Sequence, residues 1–129
     1  MNKILVEVSV GELLDKISIL EIKKEKIKDE KNLKFINNEY KILKAELDKN
    51  IKSDEKLGKF FKSLKEINSK LWVIEDDKRL CEKNSDFGEK FIKLSRDVHF
   101  LNDDRAKIKL EINNHTGSKI KEIKEYTNY

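Results

Sequence analysis

The chain has 129 residues, 29 of them basic and 25 acidic, for a formal net charge of +4 and a pI near 9.0. This length suits one domain with one core, and the close interleaving of bases and acids leaves no broad single-sign face for specific nucleic-acid binding. The lone Cys81 excludes an internal disulfide framework or a Cys-rich zinc site, and no apolar run approaches the roughly 20 residues of a membrane span, so a cytoplasmic protein is expected.

Proline is absent and the four glycines, Gly11, Gly58, Gly88 and Gly117, stand where the apolar pattern begins, ends or shifts. That combination predicts an all-α fold with long helices. Ile4, Val6 and Val8 alternate with Leu5 and Glu7, predicting an extended arm over residues 1–8. Because the chain offers no strand partner, the arm either lies along the helices or pairs with its copy in a homodimer.

Ser9-Val10-Gly11-Glu12 reads as a capping box opening a helix over 10–28, with Val10, Leu13, Leu14, Ile17 and Leu20 as its stripe. Around Asp29–Asn32 the phase slips by about 120°. A second helix over 31–50 follows, carrying Leu33, Ile36, Tyr40, Leu43 and Leu47, antiparallel to the first. Ser53 caps a third helix with Leu57, Phe60, Leu64, Ile67, Leu71 and Ile74 inward, ending near Asn84. Asp86-Phe87-Gly88-Glu89 is a second capping box, opening a fourth helix that turns Phe87, Phe91, Leu94, Val98, Leu101, Ile108 and Ile112 inward, with Gly117 as its stop. Helices three and four form the long hairpin of a four-helix bundle-like domain over 9–115. The tail, 116–129, is anchored only by Ile120, Ile123 and Tyr126.

The informative residues are charges inside the apolar stripes, since an unpaired buried charge is costly. Glu21 lies about 40° from Ile17, Glu75 about 40° from Leu71, and Arg105 within about 20° of Leu94, Val98 and Ile112, so all three are expected to point inward. Arginine is rare in this lysine-rich chain, occurring only as Arg79, Arg96 and Arg105, which points to a use for its bidentate fork. Lys109 and Asn68 could join the cluster.

Three uses are open. Glu21, Arg105 and Glu75 could form a buried cluster that only sets helix register. Arg105 and Lys109 could bind a phosphate or carboxylate ligand, with Trp72 as a recognition platform or as second-layer core. Glu21, Glu75 and Asp76 could hold a magnesium ion that engages a diphosphate, the arrangement of a phosphohydrolase or transferase of nucleotides or nucleotide sugars. Glu12 and Asp15 match the E-x-x-D half-motif of all-α nucleotide pyrophosphohydrolases, but the E-x-x-E half is missing. Asp15 points away from the stripe, so the two acids are expected to be solvated and favoured by the helix dipole. His99 and His115 are expected at the surface, and Cys81 has no histidine near it in sequence to activate it.

At Val8-Ser9-Val10-Gly11-Glu12-Leu13-Leu14-Asp15-Lys16-Ile17, Leu71-Trp72-Val73-Ile74-Glu75-Asp76-Asp77, Asp86-Phe87-Gly88 and Asn102-Asp103-Asp104-Arg105-Ala106, the chain resembles domain of unknown function 6165, a family of short bacterial and viral proteins. The likeness spans nearly the whole chain. Lys78 stands where members tend to carry a hydrophobic residue and Asp104 where they carry Glu, and the segment from Lys119 to Tyr129 replaces an often shorter, acidic tail. Members are often encoded beside glycosyltransferases and surface-polysaccharide genes, so the resemblance implies a part in glycan assembly, with a glycosyltransferase or an anionic small molecule as partner.

Overall fold

The computed structural model describes residues 2–129. Among them the chain forms four α-helices and no strand: α1 (Val10–Lys26), α2 (Glu30–Asn50), α3 (Glu55–Lys83) and α4 (Glu89–Thr116). The all-α expectation holds. Ser9 caps α1 by accepting the Glu12 amide at 3.0 Å, and Asp29 caps α2 by accepting the Asn32 amide. The cap of α3 is Asp54 rather than Ser53, its carboxylate accepting the Leu57 amide at 2.7 Å, where a negative charge also meets the positive end of the helix dipole. Gly117 ends α4 in the left-handed region at φ 67°, a conformation that costs glycine least.

The second capping box does not form. Asp86 turns back to the Gly88 amide, so Gly88 becomes the N-cap without a side-chain bond. Phe87 is therefore exposed in the connection instead of inward, its ring set edge-on against Phe91.

α1 is the hub: it packs against α2, α3 and α4, while α3 packs along α4. Leu14, Ile17, Leu47, Leu57, Leu64 and Ile112 make the core, and each such side chain, fully buried, contributes about 1.5–3 kcal/mol. Since α2 covers one side of α1 and the α3/α4 hairpin the other, α1 buries two stripes. The second one is Gly11, Asp15, Ser18 and Ile22, at the spacing of successive helical turns. Gly11 allows the closest approach, for a Cβ there would lie 2.6 Å from the Lys109 carbonyl oxygen.

At about 1.5 Å per residue, the 29 residues of α3 and 28 of α4 outrun the 17 of α1. The far half of the hairpin thus projects beyond its cover. Residues 2–8 are neither helix nor strand, and Ile4, Leu5 and Val6 are highly exposed. The arm does not lie buried along the helices.

Candidate functional site

Arg105 does point inward from α4, but its partner is Asp15. The guanidinium donates from Nε to Asp15 Oδ1 at 2.9 Å and from Nη2 to Asp15 Oδ2 at 2.5 Å, the two-pronged geometry that lysine cannot copy. Asp15 is only 1% exposed. Asn68 of α3 donates to Asp15 Oδ1 at 2.9 Å and to Ser18 Oγ at 2.8 Å, and Ser18 donates to the Asp15 carbonyl. The remaining side of Arg105 faces Asn102 Oδ1. One buried carboxylate thus ties three helices together. Burial pushes the Asp15 carboxyl up, but the hydrogen bonds from Arg105 and Asn68 and the charges of Arg105 and Lys109 outweigh it and hold the group below its ordinary value.

One turn along α4, the Lys109 side chain is 8% exposed and reaches two carboxylates: Glu12 Oε2 of α1 at 2.7 Å and Glu122 Oε2 of the tail at 2.8 Å. Burial lowers the ammonium's affinity for its proton, while the bonds to Glu12 and Glu122 and the charges of Asp15 and Glu12 more than restore it. Lys109 therefore stays cationic. Beside it, a cavity of about 260 Å³ lies between α4 and the tail, lined by Ala106, Lys107, Lys109, Leu110, Glu122, Ile123 and Lys124. Deeper in, Asn113 Oδ1 accepts the Gly11 amide at 2.7 Å, and its Nδ2 is buried without a partner.

The sequence placed Glu12 and Asp15 in solvent. The structure puts them at this site instead, because α1 is covered on both sides. Glu21 and Glu75 do not join Arg105. Glu21 accepts from Tyr40 Oη of α2 and Lys65 Nζ of α3, both at 3.2 Å, in a separate clamp that Glu25 completes through Lys65. Glu75 and Asp76 are exposed on α3, on the part of the stripe's flank that no other helix covers, and Trp72 is half-buried. The expected magnesium ligands Glu21, Glu75 and Asp76 therefore do not converge, and the described residues contain no group of three His, Cys, Asp or Glu side chains placed to hold a metal ion. His115 is at the surface as expected, its Nε2 2.9 Å from Asp54, and so is His99. Cys81 is buried.

The carboxyl pKa values that are displaced all move down: Asp15 as above, Glu25 beside Lys65, Asp54 under the Leu57 amide and His115, and Glu122 on Lys109. Such groups hold charge and accept hydrogen bonds; a general acid at neutral pH requires the opposite shift.

Asp15, Asn102 and Arg105 come from two of the motifs quoted above and meet at this one place. The model described as "Family of unknown function (DUF6165)" matches residues 4–129. The chain belongs to this family. No curated protein and no solved structure matches it, and the family's description carries no activity, so the chemistry must be argued from the DUF6165 side chains themselves. Among the described residues, no helix is long and apolar enough to cross a membrane.

Proposed function

We propose that this chain is a single-domain, cytoplasmic binding module, acting as a homodimer, that recognises an anionic group on a small molecule or partner enzyme of surface-glycan metabolism. The glycan setting follows from the company that DUF6165 members keep; the anion follows from the site. One observation carries the reading. Lys109 is nearly buried yet binds a carboxylate delivered by a tail segment without regular structure. Glu122 thus occupies the position that an external carboxylate or phosphate would take.

The Lys109 ammonium supplies the charge, and Lys107 and Lys124 line the same cavity, while Arg105, one turn away, is held by Asp15. A cavity of about 260 Å³ accommodates a phosphate-sized group but falls below the roughly 300–1,000 Å³ of sites that enclose whole small molecules. A larger ligand such as a nucleotide sugar must displace the tail. Binding is favoured over magnesium-dependent catalysis because the acids expected to hold the metal, Glu21, Glu75 and Asp76, lie apart.

Thermal-shift measurements with pyrophosphate, UDP-glucose and glucose test the proposal, since a ligand of the native state raises its melting temperature. Stabilisation by the two phosphate compounds, lost in Lys109→Met and independent of added magnesium, supports it. Equal stabilisation of Lys109→Met, or none of the native protein, refutes it.

A further inference from the structure

The α3/α4 hairpin has a second face. At about 100° per residue, Val73 and Leu80 lie within about 20° of each other on α3 and roughly 120–180° from Leu64, Asn68 and Leu71, which face α1. On α4, Ile92, Arg96 and Phe100 span about 80°, centred roughly 140–180° from Arg105, Lys109 and Ile112. The side of the hairpin turned away from α1 therefore carries four exposed apolar side chains, Val73, Leu80, Ile92 and Phe100. Val73 and Phe100 border a groove of about 610 Å³ between the two helices. Tyr129 packs against one edge of Phe100 and leaves the residue exposed.

We infer that this face pairs with the same face of a second copy. The charge pattern selects that occupant and its orientation. Lys78 over the Phe91 ring and the groove shared by Val73, Ile74, Phe100 and Leu101 set the hairpin register. In that register Asp76 and Asp77 of α3 stand at the height of Arg96 and of Lys93 of α4, the latter paired within its own helix with Asp97 at 2.8 Å. Among the described residues, neither aspartate has a basic partner.

A two-fold axis parallel to the hairpin lays α3 of each copy on α4 of the other at unchanged height. It brings Leu80 to Ile92, Val73 to Phe100, and the acid pair to the basic pair, twice over. Every neighbouring helix is then antiparallel, as in four-helix bundles, and the α1/α2 layers remain on the outside. Two helices about 10 Å wide over about 20 Å give a footprint of roughly 400 Å² per chain, about 800 Å² in total and below the roughly 1,000 Å² that a stable specific interface clears. The association is accordingly concentration-dependent.

This inference rests on the dimeric reading and is independent of the anion site. Sedimentation equilibrium of the full chain from about 5 to about 500 µM tests it. Mass should rise from the 15.3 kDa monomer toward twice that value. Ile92→Lys and Val73→Lys, at exposed positions, should weaken association at least about tenfold with unchanged circular dichroism. The paired reversal Asp76→Lys/Asp77→Lys should weaken it likewise, and adding Lys93→Glu/Arg96→Glu to that chain should restore it. A monomer throughout the range overturns both the dimer and this interface. A dimer indifferent to Ile92→Lys but lost on deleting residues 2–8 overturns the interface alone, and failure of the double reversal to restore association overturns the orientation.

Discussion

Replacing Arg105 by Met keeps much of the side chain's bulk and removes both donors to Asp15. The carboxylate, 1% exposed, would be left with Asn68 as its remaining side-chain donor. Breaking one side of a buried ion pair costs about 3–5 kcal/mol. Because the Arg105 side chain is 28% exposed and water can enter where it stood, the lower end, about 3 kcal/mol, is expected. With an unfolding entropy of about 2.1 cal/mol/K per residue, 129 residues give roughly 0.27 kcal/mol/K, so the melting temperature should fall by about 11 °C. Urea and thermal melts followed by circular dichroism measure both quantities. Glu75→Gln is the internal control: on an exposed residue it should change stability by less than about 0.5 kcal/mol. A loss below about 1 kcal/mol for Arg105→Met, or an equal loss for Glu75→Gln, refutes the placement of the pair.

The lowered pKa of Asp15 gives a pH dependence of defined sign. Its folded pKa lies below the unfolded value, so its stabilisation is fully present above about pH 4 and is lost as pH falls through the folded pKa. The urea midpoint should drop more steeply between about pH 4 and 2 in the native protein than in Asp15→Asn; parallel curves would contradict this. Gly11→Ala should destabilise by about 1–3 kcal/mol, although alanine favours a helix by about 1 kcal/mol, because the new Cβ meets backbone at 2.6 Å; a stabilised variant in thermal melts would show that α1 and α4 can separate freely. Gly117→Ala forces a side chain into φ 67° and should cost about 1 kcal/mol by urea titration; no loss would mean that the helix end rearranges.

Much of the scaffold was legible in the sequence because amphipathic periodicity reports which stripe of a helix is covered. The stripes through Leu14 and Ile17, through Leu57 and Leu64, and through Ile112 all reach the core. The inward direction of Arg105 was legible too, as a charge amid apolar neighbours. Its partner was not. α1 is covered on two sides, and its second seam, Gly11, Asp15, Ser18 and Ile22, is built mainly from small and polar residues that resemble a solvated face. Their regular spacing was the available signal. Glu75 misled for the converse reason: its wheel position assumes a neighbour, and the hairpin has outrun α1 there. Glu122 reaches Lys109 from a segment without periodicity, so no helical pattern could anticipate the contact.

The central claim is that Glu122 holds the place of an anionic ligand on Lys109. Calorimetric titration of pyrophosphate into the native protein and into Glu122→Gln tests it most directly. Removing the competing carboxylate should tighten binding about tenfold, equivalent to about 1.4 kcal/mol. Equal affinities, or heats indistinguishable from dilution in both proteins, would contradict the account.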